Sequence, residues 1–142
     1  MLSKVTAGAA NTVTYSALSA IDWNDILAFE AYTGAFDLET AFVMSPAARA
    51  ALKGIEKAQN TARFICEDNE INGYAVNVSG CVSNNNIFFG DWSKLILAVF
   101  GEGLQIDIDN VTYNSYGDTK IVARIAVDAC IEDANAFVLG KV

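Results

Sequence analysis

The sequence predicts an α+β fold, because helical periodicity in its first half gives way to strand-like alternation in its second half. Apolar residues over 46–58 recur every three or four positions, as in an amphipathic helix. Apolar and polar residues alternate instead over 104–109 and 121–132, as in β-strands. No repeat or low-complexity tract divides the chain. We therefore expect a flexible lead-in over residues 1–20 and a single α+β domain over residues 21–142.

A first helix is predicted over residues 22–33. Asp22 is a suitable N-cap, because its carboxylate can accept hydrogen bonds from free backbone amides of the first turn. Gly34 is placed to end the helix in the left-handed conformation. The predicted buried face comprises Trp23, Ile26 and Leu27.

A short strand over Thr40–Met44 is predicted to lead into a second helix over residues 46–58. Ser45 is a plausible N-cap, and Pro46 occupies the first helical position, where its missing N–H costs nothing. The apolar face is Ala48, Ala51, Leu52 and Ile55, opposite the charged Arg49, Lys53, Glu56 and Lys57.

From residue 61 the pattern predicts short strands separated by polar turns. One strand passes through Phe64 and Ile65, a turn follows over 67–72, and a second strand runs through Tyr74, Val76 and Val78. A loop is expected over 83–86. Gly90 and Asp91 then predict a turn between a strand that ends at Phe89 and an apolar segment that begins at Trp92, since both residue types favour turns.

Composition excludes some classes of function. The chain has 142 residues and a net charge of −8, so it lacks the clustered Lys and Arg that bind nucleic acid through phosphates. Only 18% of residues are charged, against about 25% in a typical domain. A domain of this size has much surface to cover, so the shortage of charge suggests that part of the surface contacts other subunits.

The sequence shows no secretory signal and no apolar stretch long enough to span a membrane, which predicts a soluble cytoplasmic protein. Cys66, Cys81 and Cys130 are odd in number and far apart. They fit reduced, buried thiols better than disulfides or a zinc site.

Motifs that suggest chemistry are weak. The chain contains no histidine, so a Ser-His-Asp triad cannot form. Asp107 and Asp109 fit solvent-facing positions of a strand better than a calcium loop. The acidic segment 66–70 is more consistent with a solvated turn than with a ligand cluster. The Gly-Glu-Gly segment at 101–103 lacks the Lys and helix of a phosphate loop.

Four aromatic residues and one cysteine are the remaining candidates for a binding site. Phe88, Phe89, Trp92 and Phe100 are expected in the core rather than in a ligand-stacking box. Cys81 is the one thiol worth testing for exposure, although it has no cationic neighbour to activate it. The sequence therefore predicts no catalytic, cofactor-binding or metal-ligating residue, no cofactor, and no enzymatic activity.

Four stretches, taken in order, resemble motifs of one family. They are AFVMSPAARAALKG (41–54), INGYAVNVS (71–79), NIFFGDWSKLIL (86–97) and the closing segment 103–141. Together they resemble motifs of tailed-bacteriophage major capsid proteins of the Hong Kong 97 type. In order, these motifs are a unit of strand, Ser-Pro and helix, a strand that begins with Gly-Tyr, a Gly-Asp-Trp-Ser corner and the final strands. The resemblance implies an axial-domain-like fold, in which a central mixed sheet is flanked by two helices and followed by extended C-terminal strands.

The chain departs from the family pattern in two respects. Ala75 stands where the family usually has proline. The resemblance also covers mainly the axial, C-terminal portion of a capsid subunit, without the N-terminal arm, the extended hairpin loop or most of the peripheral domain. We therefore expect the isolated chain to be a monomer or a small oligomer rather than a closed shell.

The resemblance implies a structural protein that self-associates into pentamers and hexamers of an icosahedral shell, in the virion and, before assembly, in the bacterial host's cytoplasm. Its partners would be copies of itself, with scaffolding or portal proteins as further candidates, and it would bind neither specific nucleic-acid sequences nor a membrane. Loop position suggests ring contacts at 79–86 and 110–119. Two alternatives stay open: a nanocompartment shell protein of the same fold, and a small ligand-binding or enzymatic α+β domain.

Overall fold

The structure is a computed structural model that describes residues 11–33, 39–109, 117 and 119–142. The described residues form two compact units. The first comprises the residues up to 95 together with 131–142, and the second comprises those between 96 and 130. We describe each unit by itself, and the expectation of one domain over 21–142 stays a prediction.

The first unit contains two helices and a six-stranded sheet. The helices are α1 (Trp23–Tyr32) and α2 (Pro46–Lys53). The strands are β1 (Asn11–Thr14), β2 (Thr40–Met44), β3 (Glu70–Ile71), β4 (Tyr74–Val78), β5 (Asn86–Asp91) and β8 (Phe137–Lys141). Short 3-10 turns cover Leu18–Ala20, Trp92–Lys94 and Ala134–Ala136. The second unit contains nearly all of β6 (Leu95–Asp109) and β7 (Lys120–Ile131), which pair as a two-stranded ribbon.

The strand order of the larger sheet is β1-β8-β5-β2-β4-β3. The sheet is mixed, because β1 pairs with β8 and β2 pairs with β4 in parallel, whereas the other three pairings are antiparallel. β8, the last strand of the chain, therefore lies inside the sheet rather than at its edge. This architecture confirms the predicted α+β class with a central mixed sheet and two helices.

Helix α1 begins as predicted and buries a different face. Asp22 accepts a hydrogen bond from the backbone amide of Asp25, whose carboxylate accepts one in return from the amide of Asp22, so the two residues form a capping box. The buried residues are Ile26 and Phe29. Leu27 is 42% exposed, so its predicted place in the core is wrong. The predicted cap Gly34 lies outside the described residues.

Helix α2 begins where the sequence predicts and ends five residues early. Ser45 accepts a hydrogen bond from the amide of Ala48, and Pro46 occupies the first turn. The helix ends at Lys53 with Gly54 as its C-cap, since glycine has a large conformational entropy to lose in a helix. Ile55 nevertheless packs against the core from outside the helix.

The lead-in predicted over residues 1–20 is structured in its described part. Val13, in β1, and Tyr15 are each only 5% exposed and belong to the main core. The backbone amide of Tyr15 donates a hydrogen bond to the carbonyl of Lys141, which extends the pairing of β1 with β8. Residues Asn11–Thr14 thus form an edge strand of the sheet, and the boundary of the lead-in at residue 20 stays a prediction.

Two further strand boundaries differ from the prediction. Phe64 forms only an isolated bridge with Glu56, so the strand expected through Phe64 and Ile65 is absent from the described residues. Gly90 and Asp91 lie within β5 rather than in a turn, and the chain changes direction at Trp92–Lys94. Gly90 is required there because its backbone packs closely against β8, with no turn involved.

The core of the first unit has one cluster on each face of the sheet. Both helices contribute to the larger cluster, which contains Ile26, Phe29, Ala48, Leu52, Phe42 and Phe89 among others. The smaller cluster contains Val82, Phe88, Ala136, Phe137 and Leu139. The alternation of Phe88 and Phe89 along β5 places these neighbours in different clusters.

Candidate assembly surfaces

The loop between β4 and β5 is exposed at its tip and fixed at its base. Val82 is buried, and the Tyr15 hydroxyl donates a hydrogen bond to the Asn85 carbonyl at 2.9 Å. Burial, with a smaller contribution from the negative charge of Asp25, raises the pKa of Tyr15, so the hydroxyl keeps its proton. Asn84 is among the exposed residues of this loop. The loop thus offers a rigid polar surface at one of the two predicted ring-contact sites.

The second predicted ring-contact site, 110–119, lies almost wholly outside the described residues. Gly117 and Thr119 are described there, and both are exposed. The ring contact at this site therefore stays a prediction.

The second unit presents aliphatic side chains to solvent along both strands. We call six of them the apolar ribbon face: Leu104, Ile106, Ile108, Ile121, Ile125 and Val127, each between 50% and 65% exposed. Strand alternation places Ile106 and Ile125 on the side opposite Asp107 and Arg124. The alternation predicted the strands correctly, and the structure leaves this face of them uncovered by the described residues.

The opposite side of the ribbon carries an exposed ion pair. The guanidinium of Arg124 lies 3.4 Å from the carboxylate of Asp107, and both side chains are more than half exposed. Exposed ion pairs of this kind contribute little to stability. The contact does show that these two side chains share one face, and it supports the interpretation of Asp107 as a solvent-facing strand residue.

The Gly-Glu-Gly segment lies within β6 and forms no phosphate loop. Gly101 and Gly103 have φ values of +74° and +81°, with open space where a Cβ would be. Their conformation, rather than crowding, requires glycine here. The strand is therefore irregular at this point, before the alternating Leu104, Ile106 and Ile108.

The four aromatic candidates have different environments. Phe88 and Phe89 are buried, as predicted. Trp92 is half-buried, and its indole N–H donates a hydrogen bond to the Ala41 carbonyl at 2.9 Å. Phe100 is 57% exposed, so its predicted place in the core is wrong. Phe88, Phe89 and Trp92 pack in the first unit, and Phe100 belongs to the second.

The acidic segment 66–70 forms a solvated turn, as expected. Asp68 and Asn69 both adopt positive φ, and both are exposed. A shallow, open hollow is lined by Lys57, Glu67, Asp68, Glu70, Asn72 and Gly73. Among the described residues, no group of three or more acidic, Cys or His side chains is arranged to hold a metal ion.

The three cysteines are free, and their predicted burial is correct for one of them. Cys66 is buried, whereas Cys81 and Cys130 are exposed. Burial raises the pKa of the Cys66 thiol, although Lys53 and Arg49 act in the opposite direction. The error at Cys130 arises because it lies on an exposed strand whose sequence resembles that of a core strand.

Asp91 is the buried carboxylate of the first unit. It is completely buried at the end of β5, where Oδ1 accepts a hydrogen bond from the backbone amide of Ser93. Its other oxygen has no hydrogen-bond partner among the described residues. The carboxylate caps the 3-10 turn, and its enclosure leaves it without access to a substrate.

No helix in the described part of the chain is long and apolar enough to cross a membrane.

Comparison with known proteins identifies relatives of the fold. A model of the phage capsid family matches residues 2–142. No curated protein sequence matches the chain. Among solved structures, the capsid of an empty GTA particle has 19% sequence identity to this chain and a TM-score of 0.69. The alignment covers 92% of this chain and 49% of that one.

Two other solved structures share the fold. A virus-like particle from Pyrococcus furiosus has 13% sequence identity to this chain and a TM-score of 0.72. The alignment covers 99% of this chain and 60% of that one. Gordonia phage Cozz has 19% identity and a TM-score of 0.62, with coverages of 96% and 50%. The alignment with this chain thus covers 49% to 60% of each of these three proteins.

Proposed function

Because the chain belongs to the phage capsid family, we propose that it works as a shell subunit that self-associates into pentamers and hexamers of an icosahedral particle. The observation that carries the proposal is the family match over residues 2–142. The proposed role is structural rather than catalytic, and its place is the virion, after synthesis in the cytoplasm of a bacterial host.

The surface properties support self-association. A net charge of −8 opposes tight binding to nucleic acid, which suits a container that does not hold its contents through phosphate contacts. The apolar ribbon face presents uncharged surface that favours contact with protein over contact with water. Repeated weak contacts around a closed ring then add up to a stable assembly.

We assign ring contacts to the loops at 79–86 and 110–119. The first loop is anchored by the buried side chain of Val82 and by the hydrogen bond from the Tyr15 hydroxyl to the Asn85 carbonyl. A preorganised loop loses little conformational entropy when a neighbour binds. Scaffolding or portal proteins would act on the assembled rings and are a further part of the proposal.

The proposal is tested by the oligomeric state of the purified chain. We expect native mass spectrometry over a concentration series to detect small oligomers, including five and six copies, and negative-stain images to show ring-shaped particles. Asn84→Lys, at the exposed tip of the first loop, should reduce the oligomer population by at least about tenfold, because neighbouring copies would bury an unpaired charge.

The matched control is Gln59→Lys, an equal change of charge at an exposed position outside the loop. It should leave the oligomer population unchanged. A chain that associates without forming rings of five or six copies at any concentration would contradict the proposed function, and oligomers that Asn84→Lys weakens no more than Gln59→Lys does would contradict the ring contact at 79–86. Far-UV circular dichroism checks that each variant keeps its secondary structure.

A further inference from the structure

The β3–β4 hairpin turns through Asn72 and Gly73, which form the one Asn-Gly pair in the sequence. Both residues have positive φ, 51° and 86°, as a two-residue hairpin turn of type I′ requires. Both are exposed to solvent. Asparagine is a chemically labile residue, and the residue that follows it controls the rate, because the backbone nitrogen of that residue is the attacking atom. The turn therefore presents the most reactive asparagine sequence of the chain at the surface.

We infer that Asn72 is a site of spontaneous deamidation, and that its conversion to a carboxylate releases the β3–β4 hairpin from helix α1. The inference goes beyond the proposed function, because it concerns a covalent change within a single chain. Neither the change nor its test depends on shell assembly.

The reaction closes a ring between the side chain and the backbone. The backbone nitrogen of Gly73 attacks Cγ of Asn72, so that a new C–N bond forms and the bond from Cγ to the side-chain nitrogen breaks. That nitrogen leaves as ammonia, together with the proton of the Gly73 amide. Water then opens the resulting succinimide at either of its carbonyl groups and yields aspartate or isoaspartate. Water is the co-reactant, and nothing is oxidised or reduced.

Gly73 and the short strand before the turn both favour the attack. Glycine has no Cβ to shield its nitrogen from the neighbouring carboxamide, and no described residue beyond its chain neighbours comes within 4 Å of the position that a Cβ would take at Gly73. Ring closure needs a backbone conformation different from that of the tight turn, so the hairpin has to open first. β3 has two residues and lies at the edge of the sheet, where local opening costs little free energy.

The Asn72 side chain also ties the hairpin to helix α1. Its amide N–H donates a hydrogen bond to the carboxylate of Glu30, and an ionised acceptor makes such a bond stronger than a neutral one. Deamidation replaces the donor by a second carboxylate, so the attraction becomes repulsion. The new charge also enters mainly acidic surroundings, since the hollow beside Asn72 is lined by three acidic residues and one lysine: Glu67, Asp68, Glu70 and Lys57.

Incubation of the full chain in mildly alkaline buffer, followed by peptide mass spectrometry, measures the reaction. Asn60 and Asn69 are internal controls, because both are exposed and have φ values of 60° and 63° but precede threonine and glutamate. Cleavage after glutamate places Asn69 and Asn72 on different peptides. We expect Asn72 to show the mass change from NH2 to OH at least about tenfold faster than either control, and Gly73→Ala to abolish this difference.

Asn72→Asp reproduces the charge of the product and tests its consequence. Amide hydrogen exchange over residues 70–76 should become at least about tenfold faster, because the new carboxylate repels Glu30 and the hairpin opens more often. The double variant Asn72→Asp with Glu30→Gln should regain most of the protection, since the glutamine amide can donate a hydrogen bond to the new carboxylate. Asn84→Asp, the same change at an exposed position in another loop, should leave this exchange unchanged.

Either measurement can overturn the inference. Deamidation of Asn72 no faster than that of Asn60 and Asn69 would show that the Asn-Gly turn is not a preferred site. This comparison carries the first test because it uses the wild-type chain, whereas alanine is strained at the φ of Gly73. Exchange that is unchanged in Asn72→Asp, or equally fast in the single and the double variant, would show that Glu30 does not hold the hairpin through Asn72.

Discussion

Gly90 and Phe137 are register partners in β5 and β8, and their backbones lie so close that a Cβ on Gly90 would be 2.7 Å from Cδ1 of the Phe137 ring. The same Cβ would lie 2.3 Å from the carbonyl oxygen of Ala136. Since backbone atoms cannot move aside without disturbing the sheet, residue 90 has to be glycine. This requirement explains the glycine that interrupts the apolar run between Ile87 and Leu97.

Replacement of Gly90 by alanine should destabilise the fold by about 1–3 kcal/mol, because the new methyl group overpacks a closed part of the sheet. Urea denaturation followed by tryptophan fluorescence measures the change. Gly80→Ala is the control, since a Cβ at Gly80 meets no atom within 4 Å, and its effect should stay within about 0.5 kcal/mol. Equal effects at the two positions would show that β5 and β8 do not approach each other closely at Gly90.

Phe89 should be among the most costly residues to truncate. Its ring lies in a cluster with Phe42, Tyr74 and Phe29, at centroid distances of 4.3, 5.1 and 6.4 Å. Phe89→Ala would leave a cavity between the helices and the sheet and should cost about 3–5 kcal/mol. Phe100→Ala, at a 57% exposed ring, should change the monomer's free energy of unfolding by less than about 0.5 kcal/mol. A comparable loss at both positions would refute the assignment of Phe89 to the core.

Asp22 should make stability depend on pH in the acidic range. The hydrogen bond from the Asp25 amide lowers the pKa of Asp22 below its value of about 3.9 in an unfolded chain. The unfolded state therefore binds the proton first as pH falls. The stabilisation is complete above about pH 5 and is lost as pH falls through the lower pKa of the folded state.

Asp22→Asn tests this dependence, because asparagine also caps helices but does not titrate. Urea midpoints at several pH values between 7 and 3 should fall more steeply for wild type than for the variant below about pH 4. The difference between the two proteins should be constant above pH 5. Parallel curves over the whole range would show that the titration of Asp22 does not cause the loss of stability at acidic pH.

The cysteines should react at two very different rates. Cys81 and Cys130 are exposed and should be labelled by a small thiol reagent within minutes at neutral pH, whereas buried Cys66 should react only as the fold opens. The raised pKa of Cys66 also implies a loss of stability as pH rises above about 8.5, since the unfolded thiol ionises first.

Mass spectrometry of labelled peptides identifies the reacting residues, and Cys66→Ala is the control for the alkaline effect. The variant is expected to start from a lower stability but to lose less of it between pH 8 and pH 10. Rapid labelling of Cys66 in the native protein would contradict its burial.

Local signals in the sequence predicted the helix starts and several strands. Asp22 and Ser45 act as caps because capping depends on the few residues beside them. The assignment of alternate residues of β4 and β7 to opposite faces was also predictable, because it depends only on neighbouring residues. β1 and the role of Gly90 could not be read in this way. Both depend on β8, whose partners are distant in the sequence and become neighbours only when the sheet forms.

The sequence predicted the alternation along the two ribbon strands but not their exposure to solvent. Alternation shows that Ile106 and Ile125 share a face, but it does not show what covers that face. The low proportion of charged residues was the signal of an uncovered apolar surface, and it could not be assigned to particular strands.

The place of β8 between β1 and β5 has a consequence for biosynthesis. Until residues 137–141 leave the ribosome, Val13 has no strand to pair with and Phe89 faces an open sheet edge. A nascent chain therefore cannot complete its main sheet before β8 is made, and a chain interrupted before this point would leave the edges of β1 and β5 unpaired. The order of synthesis thus delays closure of the sheet until the strand Phe137–Lys141 has been made.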